Sequence, residues 1–205
     1  MFIFDTLMLL LNGIEIPKGQ TNAVELKKRV SKLFKNIKFR IEKTQDLNNN
    51  HYTIAGFYIE ELEQIEIILI IPKNTNGLLS IEDPHQFRFH IAQTIQHEYI
   101  HHQQFLKRDE LPLDSFSLCP KGSEEQKYLA ERDEIDAYSY DIAIEVQRNG
   151  WKNSQTLGIY RKQFSSYHPV MKRLLKKAYK NLGVLNERHR KSNGRNDDNC
   201  KRYVT

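Results

Sequence analysis

Cysteine is nearly absent from this 205-residue chain: Cys119 and Cys200 stand alone and far apart. That excludes a disulfide framework and a cysteine-built zinc module, and it fits a reducing, cytoplasmic setting. Glycine and proline are also sparse, nine and six residues, which excludes collagen-like and low-complexity architectures. Long apolar runs are missing. The opening MFIFDTLMLLLNG has no basic start, no small-residue cleavage site, and Asp5 interrupts it. Met1 to Leu11 falls far short of the ~20 residues a bilayer requires, so no membrane span is expected and the segment reads as a buried strand or short helix. Acidic residues are scarce at one end only. Residues 168–205 hold eleven Lys or Arg against three acids, a net +8 within a total of +5, so the rest of the chain is mildly acidic at −3. A basic end on an acidic body points to a local docking property, for nucleic acid or an acidic partner, and leaves the body's function open.

What is present suffices for a core: 39% hydrophobic, 10% aromatic and 28% charged residues rule out wholesale disorder. Asn22 with Glu25 three residues on is a helix-start signature, and Ala23, Leu26, Val30, Leu33 and Phe34 then recur at helical spacing. Ile37 to Ile41 alternates apolar and charged. A polar Asn48-Asn49-Asn50 turn and two β-rich runs, 52–60 and 65–71, come next. Short connections predict an antiparallel meander. Asp83-Pro84 then opens a helix extending to about Lys107, with Phe87, Ile91, Ile95 and Tyr99 or Ile100 on one face. A loop with Pro112, Pro120 and Gly122 leads to a helix over about 131–149, and further helices are expected at 154–165 and Pro169–Leu182. The expected organisation is one domain over 1–183, strand-rich to residue 72 and helical from 83, with a flexible basic tail over 184–205.

The chemistry lies in His97-Glu98-Tyr99-Ile100-His101. Residues four apart on a helix differ by about 40° around the axis, so both imidazoles project from one face and can bind one zinc ion. Zinc lowers the pKa of a water it holds toward ~7, and Glu98 is placed to take that proton as general base. His102 is turned about 100° from His101 and reads as a bystander or as a group supporting the ligands from behind. A third ligand is required, but the extended H-E-x-x-H-x-x-G-x-x-H form is absent: Gln104 and Lys107 stand at its last two positions. The dense cluster of remaining donors is Glu131 to Asp136. On a helix whose core stripe is Ile135, Tyr138, Ile142 and Val146, Glu134 lies at the border and Glu131 within the stripe, while Asp133 and Asp136 face away.

His97-Glu98-x-x-His101 followed by Glu134-Ile135-Asp136-Ala137-Tyr138 resembles the gluzincin branch of zinc metallopeptidases, most closely small ImmA/IrrE-like proteins and phage-encoded peptidases. The resemblance covers about residues 84–147 and the strands before them, and no helix-turn-helix module accompanies it. It implies His97, His101 and Glu134 as Zn²⁺ ligands, Glu98 as base, and Ala137 as the small residue that lets two helices approach. The implied fold is α+β and zincin-like: a small, twisted, mainly antiparallel sheet on the H-E-x-x-H helix, with a helical C-terminal half. The implied activity is hydrolysis of a peptide or protein substrate laid along the sheet's edge. An oxyanion donor is also needed, with Tyr128 first and Tyr138, Tyr167 and His168 as further candidates. Two other functions compete. One is a DNA-associated protease of the SprT type tethered by the basic end, and the other is a catalytically idle metal-binding module.

Overall fold

A computed structural model describes residues 3–34, 36–47, 52–109 and 116–200, with side chains as far as residue 187. The fold is α+β, and Met1–Leu113 and Asp114–Thr205 form two compact units. The first contains α1 (Phe4–Asn12), β1 (Gly19–Asn22), α2 (Ala23–Ser31), β2 (Ile37–Thr44), β3 (Thr53–Ile59), β4 (Gln64–Pro72), β5 (Leu78–Ile81) and α3 (Pro84–Lys107). The start signals behave as chemistry requires. The Asn22 side chain accepts from the Val24 and Glu25 amides, and Asp83 accepts from His85 and Gln86 with Pro84 in the first turn.

The main sheet is not the meander expected from its short connections. Its order is β2-β4-β3, with β3 antiparallel to β4 but β2 parallel to it. The reason lies in β4, where Ile65, Ile67, Ile68, Leu69 and Ile71 are all buried. A strand apolar on both faces is most stable between two neighbours, and β4 therefore inserts between β2 and β3. On one face Phe39 and Gly56 flank Ile67 in register. The buried Glu66 on the opposite face is matched by Arg40 at 2.9 Å and Lys38 at 3.3 Å. A second, two-stranded sheet pairs β1 with β5, an element too short to show in the periodicity. The opening segment is the helix α1, which buries Leu7 and Leu11. It is tied to α3 by Arg88, which donates to the Leu11 and Ile14 carbonyls, and by Gln96, which accepts from the Ile3 amide at 2.7 Å.

The second unit is helical: α4 (Glu124–Leu129), α5 (Arg132–Asn149), α6 (Gln155–Gln163) and α7 (Pro169–Cys200). Its core gathers Ile135, Ile142 and Val146 of α5, Leu157 and Tyr160 of α6, and Val170, Met171 and Leu174 of α7. The expected loop before α5 contains α4, opened by a reciprocal Ser123–Gln126 capping box. Helix α7 continues into the segment expected to be a flexible tail, and Leu185, seven residues beyond the buried Ala178, prolongs its apolar stripe. The Asn48–Asn50 turn, Pro112 and residues 201–205 lie outside the described residues. Among the described residues no helix is long and apolar enough to cross a membrane.

Candidate metal centre

Helix α3 carries the histidine motif in its second half, and its buried positions include Gln96, His97, Glu98 and His101. The two imidazoles stand one turn apart with their Nε2 atoms 3.2 Å from each other. Two nitrogens each ~2.0–2.1 Å from a tetrahedral ion stand about 3.3 Å apart, so the pair is already spaced for one cation. His101 is further oriented by Gln104, whose Oε1 lies 2.9 Å from Nδ1. With the proton on Nδ1 donated to that oxygen, Nε2 is left with its lone pair for a metal, the usual task of a partner behind a ligating histidine. Gln104 was passed over in the sequence as the residue replacing a motif glycine; its spacing of three from His101 was the available signal. The neighbouring His102 has its Nδ1 3.1 Å from the Tyr58 hydroxyl on β3.

Glu98 faces the sheet. It lies two turns beyond Ile91 on the stripe that otherwise packs apolar residues into the core, and it is buried. Its room comes from Gly56 on β3. A Cβ built there would stand 2.6 Å from Thr94 Cγ2 and 2.7 Å from Glu98 Oε1. The glycine is needed for close approach, since the strand backbone and the carboxylate occupy space that any side chain would claim. Gly56 is the second residue that sequence reasoning missed; a glycine inside an aromatic and β-branched strand was its signal.

In the second unit Glu134 lies in the first turn of α5 and is buried, while Glu131 stands just before the helix with extended backbone, bridged to Ser117. The Tyr128 phenol lies within the electrostatic reach of Glu134 and Tyr138. Burial, then the Glu134 charge, hold the Tyr128 phenol above its ordinary pKa, so it stays protonated and keeps a hydrogen to donate. The residue as a whole remains 45% exposed. Tyr138 packs edge-on against Tyr160, Tyr167 is open to solvent, and His168 accepts from the Val170 amide at the start of α7.

His97, His101 and Glu134 each offer a ligand atom, and these atoms lie within 4.8 Å of one another. This buried His-His-Glu group can hold a metal ion: two neutral nitrogens and one carboxylate oxygen are a donor set suited to a borderline divalent cation. No protein-family model matches the chain, and neither a curated protein nor a solved structure matches it.

Proposed function

We propose that the protein is a zinc-dependent metalloendopeptidase of zincin-like fold, acting in the cytoplasm, with His97, His101 and Glu134 as ligands and Glu98 as general base. The observation that carries this reading is the buried His-His-Glu group with a second buried glutamate, Glu98, one residue from the first ligand. Zn²⁺ at such a group supplies the positive charge that polarises a scissile carbonyl and acidifies water. Glu98 takes a proton from the attacking water as the C–O bond forms. It delivers that proton to the departing amine nitrogen as the C–N bond breaks. Packing against Gly56 holds the carboxylate beside β3, an edge strand of the main sheet. An extended peptide added along that edge would bring its backbone past the base, with main-chain hydrogen bonds supplying affinity. Tyr128, kept neutral, is the donor proposed for the oxyanion.

The test is metal content and peptide hydrolysis measured together. Glu98→Gln should retain zinc and lose about 10²–10⁴-fold in kcat; undiminished cleavage by that variant refutes the mechanism. Tyr128→Phe should lower kcat about 10²-fold at unchanged zinc content. Loss of zinc from Tyr128→Phe would instead make the tyrosine a positioning residue for Glu134.

A further inference from the structure

The basic character of the chain begins earlier than its last thirty-eight residues. From Val146 to Asn186 there are nine Lys or Arg and no Asp or Glu, whereas residues 1–145 hold sixteen Lys or Arg against twenty-three acids. The structure sorts these cations. Lys177 is half-buried and paired with Asp136. Lys152, Arg161, Lys162, Lys172, Lys176 and Lys180 are exposed, and none has an ion-pair partner among the described residues. Helix α7 places Lys172, Lys176 and Lys180 four residues apart, so they rise along one side at about 6 Å per step. That side is opposite the buried Val170, Met171, Leu174 and Ala178. Two exposed aromatics frame the line. Tyr167, 83% exposed, precedes the helix, and Tyr179, 59% exposed, lies between Lys176 and Lys180. The Tyr179 ring stacks on Trp151 at 4.3 Å, which brings the segment carrying Lys152 to α7.

We infer that this face of α7 binds a single-stranded nucleic acid, with the lysines on successive phosphates and the tyrosines stacking on unpaired bases. Six unneutralised cations in an acid-free stretch answer a regularly spaced polyanion. Exposed aromatic rings between them answer bases, which a lipid surface or an acidic peptide does not offer. The inference does not rest on the metal-centre reading, since none of its residues belongs to that group.

Fluorescence anisotropy of the full chain with labelled oligo(dT) and oligo(U), across a salt series, tests it. With all six cations on phosphates the slope of log Kobs against log salt should be about −4, and Lys172→Gln/Lys176→Gln/Lys180→Gln should reduce its magnitude by about 2. Tyr167→Ala should weaken binding about 5-fold or more without changing the slope. Absence of binding at low salt overturns the inference. So does equal affinity for duplex DNA, phosphatidylserine vesicles or polyglutamate, or affinity insensitive to Tyr167→Ala. All four substituted positions are exposed, so circular dichroism of each variant should match the parent.

Discussion

The two ends of α5 each bury a glutamate, and they do so for opposite reasons. Near its C-terminal end, Glu145 is met by hydrogen-bond donors: Oε2 accepts from the Ser154 hydroxyl at 2.6 Å and the Thr156 amide at 3.0 Å, and Oε1 from the Thr156 hydroxyl at 2.7 Å. Ser154 in turn caps α6 through the Leu157 amide. This carboxylate is a structural pin. In the first turn of the same helix, Glu134 belongs to a group whose other members, His97 and His101, offer ligand nitrogens. A buried acid ringed by donors closes a fold, and one grouped with lone-pair nitrogens calls for a cation.

Exchanging the two residues for alanine is the strongest way to break this comparison. Glu134→Ala should abolish stoichiometric metal and with it the hydrolysis, both read from elemental analysis and a peptide assay. Glu145→Ala should keep the metal, because its cost is about 1–3 kcal/mol of stability from donors left unsatisfied, read by denaturant unfolding. Metal lost from both, or from neither, removes the distinction. Gly56→Ala should come next in size. Displacing Glu98 by the width of a methyl group is expected to lower kcat/KM by about 10²-fold while the metal stays. Smallest is Gln104→Ala, which should weaken zinc affinity about 10-fold by releasing the His101 ring, measured by competition with a chelator.

The sequence made some of this readable and concealed the rest for physical reasons. Helix α3 was legible at both ends because Asp83-Pro84 fixes its start and its apolar stripe keeps helical period throughout. The histidine pair followed, since i and i+4 share a face on any helix. Strand β4 was legible as a β-rich run, but an apolar run does not say which neighbours it takes, and the parallel β2 pairing therefore emerged only with the structure. Strands β1 and β5, four residues each, are too short for alternation to register. Helix α4 has six residues, too few for helical periodicity to show. Between Glu131 and Glu134 the wheel gave no decision, because it depends on where α5 begins. The helix starts at Arg132, which leaves Glu131 outside it.

Gly56 also bears on how this chain tolerates change over generations. Any substitution at a glycine adds at least a Cβ, and at position 56 that atom collides with Thr94 and the proposed base. At Gly158, inside α6, the same atom meets nothing within 4 Å. In a library of random variants under selection for hydrolysis, position 158 should accept alanine readily, while position 56 should return only its original codon family. One hydrogen in place of a methyl group would then record, in the inheritance of the gene, where the chemistry lies.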